Sequence, residues 1–332
     1  MSVQPESCAA GELSRPNVKS RPVHRGLVFA IVAFALLMMS IDSTIVATAL
    51  PSLQSGLQTS IGWAGWTITA YSLGFVVMLP VSGRLSELYG SRRVFIGSII
   101  AFTIASLVCG MVDNIYLLIA MRALQAVGGA GFTPSATKII VDNFGSARDR
   151  AVGLFGSIFS VGAMIGPVFG GLFVTYGSWR GIFLVNVPIG LAVAALAFRY
   201  VPADRPRPEG TRTRLDATGI ALLGSGLLFG MLAISYLGEA ATHVSWPLFS
   251  SMLAVAILAL WMFFRHIERS ANPFIAPHLI IGPGFGAVNL LNATYGGVTS
   301  GVIALVPLYA INRYGLNALD ASVLLVAQGA AA

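Results

Sequence analysis

The chain is organised as long uncharged runs divided by short charged clusters. Crossing a hydrocarbon core about 30 Å thick takes roughly 20 helical residues. Runs of that order fall at about 26–50, 61–82, 94–112, 115–141, 151–179, 180–199, 215–237, 246–266 and 285–310. None alternates polar and apolar positions as a barrel strand would. Each is therefore predicted to be a helix, which satisfies its own backbone in lipid. The last apolar piece, 321–332, is too short to cross. The first run is longer than the 7–15 apolar residues of a cleavable signal, so it reads as a retained helix. The expected fold class is an all-α polytopic membrane protein.

Composition agrees. Hydrophobic residues make up 56% of the chain and charged residues 10%, against about 25% charged in soluble domains. Too few charges remain to cover a water-facing surface, and the long apolar runs exclude disorder. Cys8 and Cys109 lie far apart, so neither a disulfide framework nor a zinc cluster is expected. The net charge of +7 does not point to nucleic acid, because the positive residues sit between spans. Arg15, Lys19, Arg21 and Arg25 precede span one. Arg84, Arg92 and Arg93 lie between spans two and three, and Arg148 and Arg150 after span four. Arg199, Arg205, Arg207, Arg212 and Arg214 follow span six, and Arg265 and Arg269 follow span eight. The opposite loops hold Arg180 and Arg313. The positive-inside rule then puts the N-terminus in the cytoplasm.

The expected organisation is a basic cytoplasmic tail at 1–25 and a six-helix bundle at 26–199. A linker at 200–214, with Pro202, Pro206 and Pro208, leads to two further helices at 215–267 and an incomplete start of a second bundle at 268–332. A six-helix block, a basic linker and further helices are the layout of one half of a two-bundle transporter.

Asp42 stands inside the first span. A charge there costs about 2.5–3.5 kcal/mol on insertion scales and normally faces a partner or a cavity. Burial favours the neutral acid and a neighbouring cation favours the carboxylate, so a group held between the two can exchange protons. A fixed structural ion pair is the alternative. Arg122, in span four, lies about 10 Å from the outer end of its span and Asp42 about 12 Å from its own, counted at helical rise. The two are expected to face one internal cavity, paired directly or through water. Gln125 shares the face of Arg122.

In span five, Gly153, Gly162, Gly166, Pro167, Gly170 and Gly171 give a smooth face for close helix approach and a proline that bends the helix. The loop Gly83–Arg93 reads as a compact charged cytoplasmic latch, or as a plain anchor. Trp63, Trp66, Trp179 and Trp246 lie near span ends and are expected in an interfacial belt. Nothing resembles a P-loop, and His24, His243, His266 and His278 have no metal spacing. Neither a nucleophile–base pair nor a metal pair appears, so no enzyme activity is expected.

The motifs together resemble the major facilitator superfamily and, within it, the fourteen-span drug:proton antiporters of the EmrB/QacA type. The segment Asp42-Ser-Thr-Ile-Val-Ala-Thr-Ala-Leu-Pro51 is similar to D-x-T-I-V-N-x-A-L-P. Gly83–Arg93 is similar to G-x-L-a-D-r-x-G-r-k, with Glu87 in place of Asp, and Leu88 and Ser91 in place of basic residues. Arg122-Ala-Leu-Gln125-Ala-Val-Gly128 resembles R-x-x-Q-G-x-G, and the span-five glycines resemble the antiporter motif. Trp179-Arg180-Gly-Ile-Phe183-Leu-Val-Asn186-Val-Pro188-Ile-Gly190 resembles W-R-x-x-F-x-x-N-x-P-x-G.

The resemblance implies proton coupling at Asp42, Arg122 and Gln125, and a cytoplasmic gate at Gly83, Glu87, Gly90, Arg92 and Arg93. It implies a bend in span five and a structural motif at Trp179, Arg180, Asn186 and Pro188. It also implies a bacterial inner-membrane exporter of small amphipathic molecules, driven by the proton gradient without a cofactor. Lipid, protons and substrate are the expected partners of a monomer, with no nucleic acid, and a periplasmic adaptor is left open. Members carry a complete second bundle, whereas this sequence stops inside what reads as a tenth helix. It is expected to be a truncated product that does not transport alone. A sugar or metabolite carrier of the same superfamily and a non-transporting scaffold remain as alternatives.

Overall fold

A computed structural model describes residues 24–204, 216–239, 245–270, 273, 275, 277–282, 284–316, 320, 323 and 324. The basic tail with Cys8, Arg15, Lys19 and Arg21 lies outside the described residues. So do the linker arginines Arg205, Arg207, Arg212 and Arg214, and the apolar end beyond 324.

The described residues are helical, without strands. In order they are α1 (Arg25–Gly56), α2 (Ile61–Tyr89), α3 (Ser91–Met111), α4 (Ile115–Gly129), α5 (Phe132–Phe144) and α6 (Arg148–Tyr176). There follow α7 (Gly181–Leu184), α8 (Asn186–Tyr200), α9 (Ala217–Glu239), α10 (Trp246–Arg269), α11 (His278–Ile281) and α12 (Phe285–Tyr314). Among the described residues, seven helical stretches are long and apolar enough to cross a membrane. One of these, Ile115–Tyr176, has 62 residues. At helical rise it would measure about 90 Å, three times the bilayer core. It holds α4, α5 and α6, and so contains the expected spans four and five. The expected ninth span is the 30-residue α12, which is not one of the seven.

In two expected spans the helical hydrogen bonding is interrupted while the backbone angles stay helical. In span four the interruption is at Ala130 and Gly131, between α4 and α5. Proline has no N–H and its ring collides with the carbonyl four residues back, so it suits only a helix's first turn. Pro134 occupies the first turn of α5 and leaves the carbonyl of Ala130 without a helical donor. In span six the interruption is at Val185, between α7 and α8, which keeps helical angles, and Pro188 acts there in the same way on the carbonyl of Leu184. By contrast, α1, α2 and α6 continue through Pro51, Pro80 and Pro167.

The stretch read as a loop at Gly83–Arg93 is mostly helix. α2 runs to Tyr89, Gly90 alone makes the turn at φ +97°, and α3 begins at Ser91. Only glycine adopts that angle without strain.

In lipid, apolar contact between helices is not driven by water, so close packing and polar contacts hold the bundle. α1 lies along α6 and also touches α2 and α8, while α4 lies between α2 and α3, and α3 packs on α8. α9 and α10 form a pair that meets the bundle through α2. One apolar core gathers around Val28, Leu36, Phe95, Phe102 and Phe132. A second gathers around Ile45, Leu53, Leu118, Trp179 and Phe183. Asp42 lies on α1 between them. Large apolar side chains such as Phe34, Ile104, Leu191 and Phe198 point outward, as a lipid-facing surface requires.

Candidate functional site

Asp42 on α1 and Arg122 on α4 are both 0% exposed. Arg122 Nη1 donates to Asp42 Oδ2 at 2.7 Å. Hydropathy alone cannot bring these spans together. Arg122 Nη1 also donates to Gln125 Oε1 at 2.6 Å, and Arg122 Nε donates to the Thr67 carbonyl at 3.2 Å. Gln125 Nε2 donates to Asp42 Oδ1 at 3.0 Å and to Ser106 Oγ at 2.6 Å. Asn186 Nδ2 donates to the same Asp42 Oδ1 at 2.7 Å. The carboxylate therefore receives one guanidinium and two amide N–H groups, from α4 and α8. A buried ion pair is tolerable only when such extra bonds satisfy its remaining polar atoms.

Rings cover the guanidinium. Its Cζ lies 4.2 Å from the centroid of Tyr71 and 5.6 Å from that of Phe183, within cation–π range. The structure thus pairs Asp42 and Arg122 directly and shuts both away from solvent, so they do not line an open cavity in this arrangement.

The glycines of α6 face α1. An added Cβ at Gly162 would lie 2.5 Å from Ser40 Cβ, one at Gly166 2.9 Å from the Ile41 carbonyl, and one at Gly170 2.5 Å from the Ile45 carbonyl. Gly166 and Gly170 would also strike the hydroxyls of Thr44 and Thr48. Gly162, Gly166 and Gly170 thus match Ser40, Thr44 and Thr48 turn for turn. Pro167 and Gly171 are buried in the same helix, whereas Gly153 is exposed with open space around its Cα.

At the basic end, Glu87 is exposed and pairs with Arg84 at 2.8 Å. Such surface pairs contribute about 0–1 kcal/mol. The tighter junction involves Asp204, which the sequence reading passed over. Its carboxylate accepts from Ser91 Oγ at 3.1 Å, Arg92 N at 2.9 Å and Arg93 N at 3.4 Å, at the unsatisfied N-terminus of α3. Arg92 Nη2 reaches the Phe198 carbonyl at 2.6 Å. A Cβ at Gly90 would collide with Asp204. The Asp204→Ala variant is expected to lower stability by about 1 kcal/mol, as loss of a helix cap does. Thermal melting of the purified protein checks this, and an unchanged midpoint would contradict it.

At the opposite end Trp179 is 5% exposed, so it is not part of an interfacial belt. Gly56 lets its indole lie against α1, since a Cβ there would fall 3.0 Å from Trp179 Cδ1. Arg180 forms an ion pair with Asp113, and its guanidinium carbon stands 4.3 Å from the Trp179 ring. Pro188 is exposed. The expected structural motif thus divides, with Trp179 and Arg180 at the rim and Phe183 and Asn186 at the buried charges. Ser106 and Tyr71 carried no sequence signal beyond being polar groups inside spans. Counting Asn186 inward from Arg180, at the depth of Asp42, would have flagged it.

Residues 32–218 match the Major Facilitator Superfamily. The chain belongs to that superfamily. It is 36% identical over 280 residues to the cephamycin export protein CmcT of Amycolatopsis lactamdurans, covering 82% of this chain and 56% of that protein. It is 33% identical over 301 residues to the putative multidrug resistance protein MdtD of Escherichia coli O6:H1, covering 89% and 62%. It is 28% identical over 302 residues to the multidrug transporter protein MdtP of Bacillus subtilis, covering 91% and 55%. The chain therefore spans roughly half to three-fifths of these relatives. A crystal structure of an auto-inhibited peptide transporter of the POT family superposes with a TM-score of 0.55 at 16% identity, over 91% of this chain and 66% of that one. That likeness concerns the fold alone.

Proposed function

We propose that this chain is the N-terminal part of a proton-coupled exporter of small amphipathic molecules, of the fourteen-span EmrB/QacA type. It would sit in a bacterial inner membrane with its N-terminus in the cytoplasm. The observation that carries the reading is the buried pair of Asp42 and Arg122, with every hydrogen bond to the carboxylate coming from another helix. Intramembrane charges at helix junctions mark ion pathways. A proton arriving at Asp42 cancels the charge that holds α4 and α8 to α1, which gives protonation a mechanical consequence. Export, as opposed to uptake, is supported by the likeness to CmcT, a cephamycin export protein, and to MdtD, a putative multidrug resistance protein, and by the glycine face of α6. Asp204 and the turn at Gly90 would act as the cytoplasmic gate, with Glu87 contributing little.

Alternating access needs two bundles rocking about a midplane site, so the test uses the complete gene product in inverted vesicles. Respiration should drive ethidium into them, and collapse of the proton gradient should release it. The Asp42→Asn variant keeps the shape and cannot carry a proton, so it should lose at least about 100-fold in rate, the scale for a positioned proton-transfer group. Gradient-driven accumulation by Asp42→Asn at the parent rate would rule out coupling at this residue.

A further inference from the structure

We propose that Asn186 is a positioning residue of the proton site, clasping α8 to the ionised Asp42 and releasing it on protonation. This deepens the proton-coupled reading above and rests on it. Three observations converge. Asn186 is 2% exposed, and its amide reaches Asp42 Oδ1 at 2.7 Å across 144 residues of sequence. It is also the first residue of α8, directly after the interruption at Val185. Val185 keeps helical angles, at φ −62° and ψ −29°. What is missing there is the one helical bond that Pro188 cannot donate to the Leu184 carbonyl, and the side chain of Asn186 holds another span beside that weak point. Finally, Phe183, on the other side of that interruption, lies over Arg122. The two halves of span six therefore grip opposite members of one ion pair.

The groups that touch the carboxylate are all donors: Arg122 Nη1, Gln125 Nε2 and Asn186 Nδ2. An ionised carboxylate accepts from all three. A protonated one carries an O–H that needs an acceptor. Of the three neighbours only the two amides can supply one, by turning their oxygens inward. Gln125 Oε1 already receives Arg122, whereas no other hydrogen bond holds the Asn186 amide among the described residues. Asn186 is thus the group free to turn or to let go. The other titratable groups facing Asp42 are Tyr71 on α2 and Cys109 on α3. Of the cations of neighbouring α5 and α6, Lys138 is held by the Ser86 carbonyl and Arg148 by Asp149, and Arg150 is exposed in the first turn of α6.

The test is an infrared titration of Asp42 in the purified chain in lipid, assigned by difference against Asp42→Asn. A donated N–H favours the charged form. Asn186→Leu keeps the number and branching of the side-chain heavy atoms, though it is bulkier, and removes the donor, so the protonation midpoint of Asp42 should move to higher pH by about one unit. Asn186→Asp is nearly identical in shape and places a second carboxylate beside the first. It should move the midpoint further in the same direction, and it carries the test if the leucine variant does not fold. Midpoints unchanged in both variants would overturn the clasp while leaving proton coupling intact. A parent Asp42 that shows no protonation step would overturn coupling and the clasp together.

Discussion

Arg122→Met, with Asp42 left in place, is expected to destabilise the bundle by about 3–5 kcal/mol. The side chain removed is 0% exposed, and its loss leaves a buried carboxylate held only by two amides. Thr67 also loses the donor to its carbonyl, and Tyr71 and Phe183 lose the cation they enclose. The deficit should shrink as pH falls, because protonation of the stranded acid removes the charge that has no partner. The double variant Asp42→Asn with Arg122→Met should recover most of the stability, because breaking a buried pair costs more than removing both members. Thermal melting of the parent, both single variants and the double variant closes the cycle. Additive losses would show that the two side chains are energetically independent, against the geometry.

Legibility in the sequence followed the cost of each feature in lipid. The spans were visible because a crossing segment must stay apolar for roughly 20 residues. Asp42 and Arg122 were visible because a charge inside such a segment is rare. The interruptions at Ala130–Gly131 and Val185 were not, because hydropathy ignores where Pro134 and Pro188 remove helical hydrogen bonds. Asn186 and Ser106 were hidden as participants because a neutral polar side chain interrupts an apolar run so little. Asp204 was missed for the opposite reason. It lies beyond the span, where charges are ordinary, and its importance comes from the φ of Gly90, which brings the start of α3 beside it. The glycine face of α6 could be read from spacing alone, but its partner could not. The Ser40, Thr44 and Thr48 series is equally regular and was overshadowed by the charge between them.

That series underlies the second large effect. Gly166→Leu is expected to cost about 3 kcal/mol or more, at the upper end for overpacking. Even the first carbon of the new side chain meets the Thr44 hydroxyl and lies 2.9 Å from the Ile41 carbonyl. The hydroxyl could turn, but the carbonyl belongs to the backbone of α1 and cannot move alone. α6 would have to withdraw from α1, and close approach is what binds helices in lipid. It would also strain the bond from Ser40 Oγ to the Phe159 carbonyl, now 2.8 Å. Gly153→Ala is the matched control. It lies on the same helix, exposed and with nothing near its Cα, so it should be neutral or stabilising by up to about 1 kcal/mol through helix propensity. Thr44→Ala combined with Gly166→Leu should recover only part of the loss, because the Ile41 carbonyl remains. Melting midpoints of these variants in detergent separate the outcomes, and a Gly166→Leu protein as stable as the parent would show that the two helices are not in contact there. Residues 40 and 44 lie about 160° around α1 from residue 42. The clamp by α6 therefore grips the side of α1 away from Arg122, and it packs against the backbone on either side of Asp42.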